Sequence, residues 1–361
     1  MNNHLVLIYA AWFICIVLIS FLLNGLFLRF ARTLGIRNNP EGVQRWSERQ
    51  KPSLGGITFY VIFLLSTASY SIFFPQTTVL LNQSLLGLLG AVTLAFIMGL
   101  ADDAYNTKPF FKFTVQVLCG VILISTGTSI HLFENEWMNY VLTVLWVVGI
   151  MNSINLIDNM DAIAACVSGF VFLEALLMLY IGKDFGNVDI IILLGVLGTL
   201  GGFLYYNWHP SRLYMGDTGS QFLGILTAAM GIRYFWNAPD FGQNVIATKQ
   251  ITIVLLGFLV PLTDTATVII NRILRGTSPF VGGKDHTTHH LSYLGLSDSQ
   301  VAFALSGISM ISMVLIFVVQ GTITDWNITH QLIFGGYILA VAGGLFYITR
   351  IKKEKNETSD E

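Results

Sequence analysis

Charge is what this sequence has least of. Its 361 residues include 19 Lys and Arg and 21 Asp and Glu, 11% of the chain, against about 25% in a soluble protein. With 54% hydrophobic residues, too little polar surface exists to cover a soluble domain, and a disordered chain is excluded as well. Cysteine is equally rare. Cys15, Cys119 and Cys166 each sit inside an apolar block, which excludes a secreted disulfide scaffold and leaves them as small core or lipid-facing residues with no redox role. The formal net charge of −2 offers no basic excess for nucleic acid and by itself points to no partner.

What is abundant is apolar sequence, in blocks of roughly 17–24 residues, each about 30 Å long as a helix. Candidate spans run over 5–28, 54–74, 80–101, 112–130, 139–157, 162–181, 188–206, 219–236, 250–271, 299–320 and 331–349. They predict an all-α, polytopic membrane protein with about eleven transmembrane helices. The leader Met1-Asn2-Asn3-His4 has no Lys or Arg, and no small-residue cleavage pattern follows it, so the first span is expected to stay as an anchor. An odd count puts the termini on opposite sides. Sixteen cations, from Arg29 to Lys355, fall on one side, against Lys183, Arg233 and Lys249 on the other, which places the N-terminus outside and the C-terminus in the cytoplasm. Trp137, Trp236 and Trp326 fall at outer ends, as an interfacial belt would. No internal repeat is evident. Residues 1–350 read as one membrane domain, and the charged stretch 351–361 as a disordered cytoplasmic tail.

Against this background the acids and histidines are informative. Asp102, Asp103, Asp158, Asp161, Asp217 and Asp285, with His286, His289 and His290, fall in five segments on the predicted cytoplasmic side. Glu134, Glu136, Asp184, Asp189, Asp240 and Asp325 are scattered singly on the other and read as ordinary solvated residues. Adjacent carboxylates such as Asp102-Asp103 repel each other unless a divalent cation or a protonated partner is present, and Mg²⁺ favours oxygen ligands. A helix C-terminus is otherwise a poor place for an acid. Lys112, downstream, could reach a phosphate or serve as a positive-inside anchor.

In Asn152-Ser-Ile-Asn155-Leu-Ile-Asp158-Asn-Met-Asp161 the polar groups recur at i, i+3, i+6 and i+9, broadly on one side of a helix. Capping accounts for one of them, not four. In the stretch from Asn207 to Ser220, Asp217 is either the N-cap of the eighth helix or, between Gly216 and Gly219, a metal ligand where backbone approaches a phosphate. The longest inner loop, 272–298, carries Arg275 and Asp285-His286-Thr287-Thr288-His289-His290. Histidines at i, i+3 and i+4 share a helical face, but no Cys is near and a zincin's glutamate is missing, so a polyanion fits better than zinc. Two acids lie within spans. A kink at Pro261 could turn Asp264 toward the inner cavity, whereas Glu174, nearer mid-membrane, reads as a protonated or paired packing residue and is given no role.

Five polar segments converging on one membrane face describe a place where a water-soluble anion meets a lipid-embedded partner. Phosphoryl transfer suits it, because that chemistry needs Mg²⁺, cationic clamps and positioning more than covalent groups. The motifs are also recognisable. Arg49-Gln-Lys51-Pro-Ser-Leu-Gly55-Gly56-Ile, Asp102-Asp103, Asn152 to Asp161, Asn207 to Ser220, and Ser278-Pro-Phe followed by His286-Thr-Thr-His289-His290 resemble, in order, those of the polyprenyl-phosphate N-acetylhexosamine-1-phosphate transferases, glycosyltransferase family 4. The resemblance runs from about residue 45 to 295.

That resemblance implies an enzyme of the bacterial inner membrane with its active site on the cytoplasmic face. A polyprenyl phosphate attacks the sugar-bearing phosphate of a UDP-N-acetylhexosamine, releasing UMP and starting a cell-envelope glycan such as O-antigen or teichoic acid, with Mg²⁺, or Mn²⁺ in its place. It implies Asp217 as a metal ligand, with Asp103 and Asn155 beside it, and Asp102 as the residue that positions or deprotonates the lipid phosphate. Asp102, Asp103 and Asp217 are thus the catalytic set. Lys51 and Lys112 resemble phosphate-binding lysines. Asn155, Asp158, Asp161 and Asn207 resemble nucleotide-side contacts, and Arg275, His286, His289 and His290 contacts to diphosphate or sugar. Two departures stand out: Ala162 where the family commonly has Gly, and Thr287-Thr288 in place of a bulkier pair. The histidine stretch is closer to enzymes that transfer N-acetylglucosamine-1-phosphate than to the muramoyl-pentapeptide transferases, which usually carry three consecutive histidines. The expected partners are the UDP-sugar, the polyprenyl phosphate and a second copy of the chain. Two alternatives stand beside this reading: the phospho-N-acetylmuramoyl-pentapeptide transferase reaction, and a secondary transporter of anions or metal ions, whose polar groups would sit nearer the midplane.

Overall fold

The structure is a computed structural model that describes residues 3–34, 51–74, 82–238, 246–278, 283 and 285–351. The motif residues Arg49, Gln50, Pro279 and Phe280, the outer acid Asp240 and the tail 352–361 lie outside the described residues. Among those described there is no strand, only one isolated parallel bridge between Ser53 and Tyr214. The helices are α1 (Asn3–Leu34), α2 (Gly55–Phe73), α3 (Gln83–Tyr105), α4 (Pro109–Ser125), α5 (Glu136–Ile157), α6 (Ile163–Ile181), α7 (Val188–Asn207), α8 (Gly216–Gly231), α9 (Ala247–Gly257), α10 (Leu259–Leu274), α11 (Thr287–Tyr293), α12 (Asp298–Gly321) and α13 (Ile328–Ile348). A π-helical turn, Ile232–Trp236, prolongs α8.

Each expected span carries helix, yet the helices are unequal. Among the described residues α1, α3, α5, α6, α7, α12 and α13 are long and apolar enough to cross a membrane, and α9 with α10 makes an eighth if the bent pair is one span. At 17 residues, α4 is only about 26 Å long.

α8 is the hub. Every residue from Thr218 to Gly231 is buried, as befits a helix enclosed on all sides, and α2, α3, α5 and α6 surround it, with α1 outside α7 and α12 outside α6. Two glycines let backbone meet backbone at its N-terminus. A Cβ placed on Gly99 of α3 would lie 2.5 Å from the Asp217 carbonyl oxygen, and one on Gly56 of α2 would lie 2.2 Å from the Gly219 nitrogen. Such small-residue contacts are how membrane helices approach closely.

The far end of the bundle corrects one expectation. Asp189 is not solvated: it is 2% exposed and forms a bidentate pair with Arg233, whose Nη1 donates to both carboxylate oxygens at 2.8 Å. Arg233 Nη2 also donates to the Ser84 carbonyl and hydroxyl, and Tyr234 donates its hydroxyl to Asp189. This network ties α3, α7 and the end of α8 together opposite the candidate site.

A second correction concerns the ninth span. It breaks by 80° between α9 and α10, at Gly257-Phe258 and not at Pro261. Pro261 falls in the first turn of α10, where its missing N–H has no helical acceptor to lose. The turn is held by packing: the Phe258 ring meets Trp146 edge-on at 4.7 Å and Phe235 at 5.2 Å. Gly257 lies against the Glu174 carboxyl, which is fully buried and has no hydrogen-bond partner among the described residues.

Candidate active site

The site is built where α3 hands over to α4. Asn106 adopts a left-handed conformation that stops α3, Pro109 opens α4 at a position suited to proline, and the turn between them folds Thr107 back onto Asp102. The Thr107 backbone N–H and hydroxyl donate to Asp102 Oδ1 at 2.8 and 2.5 Å. The other oxygen, Oδ2, lies 2.5 Å from Lys112 Nζ. The same ammonium reaches Asp217 Oδ1 at 3.1 Å, so it bridges two carboxylates brought in by α3 and α8. Asn155, in the last turn of α5, donates Nδ2 to Asp217 Oδ1 at 2.6 Å and to the Ser220 hydroxyl at 2.8 Å. Asp102 is buried, whereas the Asp217 side chain is about a third open to solvent at 32%.

Asp103, expected beside the metal, is engaged by the N-terminus of α8. Its Oδ1 accepts from the Asp217 N–H at 2.9 Å, and its Oδ2 accepts from the Thr218 N–H at 2.8 Å and the Thr218 hydroxyl at 2.6 Å. It is the capping acid of α8, supplied from another helix; Asp217, at the second position of α8, is not its own cap. Negative charge at that end suits the helix dipole. Gly216, at φ +73°, gives the entry turn a conformation that disfavours a side chain, and a Cβ there would lie 2.6 Å from Asp103.

One helical turn deeper lies an amide layer in which only Asn152 belongs to a motif. Gln116 follows Lys112 by four residues, Gln221 follows Asp217 by four, and Asn152 precedes Asn155 by three. Gln116 Nε2 donates to Gln221 Oε1 at 3.2 Å and to Asn152 Oδ1 at 3.3 Å, and Asn152 Nδ2 donates back to Gln116 Oε1 at 2.9 Å. These amides fix the faces of α4, α5 and α8 that carry the site. The signal was an amide at helical spacing inside an apolar span.

A second cluster forms around Asp161. The segment before α2 is stitched to the loop before α8: Tyr214 N–H donates to the Pro52 carbonyl, and the Gly55 and Gly56 N–H groups donate to Tyr214 and Met215. Lys51 is thereby held over the Tyr214 ring, 4.9 Å from its centroid, donating to the Ser211 hydroxyl at 2.8 Å with Asp161 at 3.9 Å. Asp161 accepts from the Ser211 N–H and hydroxyl and pairs with His209 Nδ1 at 3.0 Å; that nitrogen also lies 3.3 Å from Asp298. His209, Ser211 and Asp298 were not expected here.

Asp158 and Asp161 do not continue the α5 face. Helix α5 stops at Ile157, with half-buried Asp158 as its C-cap, and Asp161 sits in the following turn. Ala162 holds φ +67°, a conformation that costs an L-residue roughly 1–2 kcal/mol and explains why glycine is usual there. Asn207, expected among the substrate contacts, is instead an internal pin: 2% exposed, it accepts from the Ala162 N–H and donates to the Leu213 carbonyl.

The histidine segment is organised by Asp264, the acid whose role spacing left open. Buried on α10, Asp264 accepts from the Thr287 N–H at 2.8 Å and from the Thr287 hydroxyl, and pairs with His286 Nδ1 at 2.8 Å. It therefore caps α11 and orients the His286 ring. His286 precedes α11 as its N-cap residue; only His289 and His290 lie within the helix, so the three do not share one helical face. The Thr288 hydroxyl donates to Asn159 Oδ1 at 2.7 Å, joining α11 to the turn after α5. Arg272 holds Asp285 through Nε at 2.9 Å and Nη2 at 2.6 Å. Burial works against the Asp285 charge, but this guanidinium outweighs it and keeps the carboxyl below its ordinary range. His290 is half-buried; burial and then the Arg275 charge push its imidazolium toward the neutral form. Arg275 is exposed at the end of α10.

Comparison with known proteins decides the family. The model of glycosyl transferase family 4 matches residues 85–235. A probable undecaprenyl-phosphate N-acetylglucosaminyl 1-phosphate transferase from Bacillus subtilis is 31% identical over 295 residues, covering 79% of this chain and 77% of its own. The chain belongs to glycosyl transferase family 4. A phospho-N-acetylmuramoyl-pentapeptide-transferase from Heliobacterium modesticaldum is 30% identical over 311 residues, 80% of this chain and 88% of its own. A decaprenyl-phosphate N-acetylglucosaminephosphotransferase from Mycobacterium leprae is 26% identical over 281 residues, 70% and 69%. For this family 4 member, the matched segment contains both bridged carboxylates, Lys112 and Asn155, but neither Lys51 nor the histidine segment.

The donor set suits a hard divalent cation. Asp102 and Asp217 are drawn together by an ammonium, a single positive charge between two negative ones, and carboxylate and amide oxygens are the ligands Mg²⁺ prefers. Asp217, with the Asn155 carbonyl oxygen, would hold it. Asp103, with three hydrogen bonds from the start of α8, supports Asp217 from the side of α3.

Proposed function

We propose that this protein transfers N-acetylglucosamine-1-phosphate from UDP-N-acetylglucosamine to a membrane polyprenyl phosphate, with release of UMP, as the first step of a cell-envelope glycan. The observation that carries this reading is the Lys112 ammonium held between Asp102 and Asp217, with Asn155 on Asp217. Two anions must meet in this reaction, and a cation poised between carboxylates at a membrane-helix end is the arrangement that lets them.

Mg²⁺, when bound, would neutralise the donor diphosphate and polarise the phosphorus under attack. Lys112 would turn from the carboxylates to the incoming lipid phosphate, and Asp102, buried and fixed by Thr107, would orient that phosphate and take a proton from it. Asp103 and the amide layer would keep Asp217 in register. Lys51, braced by Tyr214 and Ser211, would bind donor phosphate, and His286, oriented by Asp264, would face the sugar or diphosphate. The lipid phosphate oxygen forms the new bond to phosphorus, the donor's P–O–P bridge breaks, and UMP leaves. We read the site as cytoplasmic, with eleven spans, the N-terminus outside and residence in the bacterial inner membrane, on the distribution of Lys and Arg.

Similarity to both N-acetylglucosaminyl and N-acetylmuramoyl-pentapeptide enzymes makes donor choice the point to test. Purified protein with Mg²⁺ and undecaprenyl phosphate should release UMP from UDP-N-acetylglucosamine and much less from UDP-N-acetylmuramoyl-pentapeptide; the reverse ranking would move it to the other branch. Asp217→Asn should nearly abolish UMP release in a folded protein, and retention of most activity would remove Asp217 from the metal. No release from any UDP-sugar by folded protein would refute the enzyme reading in favour of transport.

A further inference from the structure

A cavity of about 530 Å³ opens between the C-terminal ends of α10 and α13 and the short helix α11, lined among others by Arg275, His290, Leu294, Ile348, Arg350 and Ile351. Its two halves differ chemically. Leu294, Ile348 and Ile351 supply apolar lining beside the end of the membrane-length helix α13, and Arg275 and Arg350 supply two exposed guanidiniums, neither in an ion pair with a carboxylate among the described residues. The Arg350 guanidinium rests on the Phe346 ring, 5.1 Å from its centroid, and Asn271 on α10 donates to the Thr349 hydroxyl at 2.8 Å, so the α13 wall is fastened to α10. Two guanidiniums without a carboxylate partner among the described residues, beside apolar lining at the end of a membrane helix, complement a phosphate attached to a hydrocarbon chain.

We propose that this cavity binds one anionic glycerophospholipid, its phosphate on Arg275 and Arg350 and the start of an acyl chain on Leu294, Ile348 and Ile351. A bulk lipid fits better than the polyprenyl phosphate acceptor. α13 packs mainly on α9, α10 and α11, whereas Asp102, Lys112 and Asp217 are carried by α3, α4 and α8, so a phosphate seated here is on the wrong wall to be the nucleophile. The lipid acts as a strut: it joins α13 to α11, whose N-terminal side presents His286.

The test is binding and does not depend on turnover. The full chain, delipidated in mild detergent, is mixed with dioleoyl phosphatidylglycerol or dioleoyl phosphatidylcholine and followed by native mass spectrometry. One phosphatidylglycerol adduct should survive collision energies that strip phosphatidylcholine. Arg350→Gln should lower that preference about fivefold, the share of one arginine near a lipid phosphate, and Arg350→Glu should abolish it. Arg29, an exposed cation on α1, which packs on α2 and α7, is the control, and Arg29→Gln should leave the adduct intact. An unchanged preference in Arg350→Gln, an equal loss in Arg29→Gln, or one-for-one displacement of the phospholipid by undecaprenyl phosphate would each overturn the proposal.

Discussion

Adding a single methyl group to Gly99 should disable the site from behind. A Cβ there would lie 2.5 Å from the Asp217 carbonyl oxygen, 2.6 Å from the Thr218 Cα and 2.8 Å from the Asp217 carbonyl carbon, all backbone atoms that cannot rotate away, where ordinary contact begins at 3.4 Å. In Gly99→Ala the N-terminus of α8 must therefore withdraw by about 0.9 Å, a shift on the scale that costs roughly 100-fold in a positioned reaction. Overpacking should cost about 1–3 kcal/mol of stability, which a bundle of this size can absorb. The measurement is UMP release per folded molecule, with thermal unfolding followed in the same detergent. Gly149, on α5, has open space around it, so Gly149→Ala should be neutral or slightly stabilising, because alanine is the better helix residue by roughly 0.5–1 kcal/mol. If Gly99→Ala turned over within threefold of the parent, close approach of α3 to α8 would not be what places Asp217.

Three further outcomes follow from the geometry. Ala162→Gly should relieve the left-handed backbone and raise stability by about 0.5–1 kcal/mol after the entropy of the unfolded glycine is counted; a lower unfolding temperature would contradict the strain. Asp264→Asn should lower turnover per folded molecule about 10- to 100-fold, as for other carboxylates that orient a functional imidazole, and wild-type turnover would deny His286 a role. The folded His290 titrates below its ordinary 6.5, so its contribution to stability is present above that value and lost as pH falls through 6.5 toward the folded value. Thermal unfolding followed from pH 8 to pH 5 should therefore show a loss of stability in wild type that is smaller in His290→Gln.

Much of this was legible in the sequence, and what was not has a common cause. Apolar blocks announce membrane helices, and Asp102, Lys112, Asn155 and Asp217 stand out because polar groups are few in this chain and these fall at helix ends on one predicted side. Spacing could not say what a polar group faces. Asp103 and Asn207 sit inside recognisable motifs yet spend their hydrogen bonds on holding the chain in place, one on the backbone and Thr218 hydroxyl of α8 and the other on the backbone of Ala162 and Leu213. Asp264 and His286 are 22 residues apart, and Asp189 and Arg233 are 44 apart; such pairings are decided by packing and leave no local pattern. The α9–α10 break was misplaced for the same reason. A proline is visible in a sequence, but the aromatic contacts that turn the chain at Phe258 are not.

The ammonium bridge also bears on how the protein is made. Asp102 and Lys112 belong to one helical hairpin and can pair as soon as α3 and α4 enter the membrane, whereas Asp217 lies 105 residues beyond Lys112. At translation speeds of about 5–20 residues per second, the nascent chain waits roughly 5–20 s with half a site. During that interval Asp102 is present to pair with Lys112 and Asp217 is not. The bridge is thus completed in two stages by the order of the chain alone, the α3–α4 half first and the α8 half last.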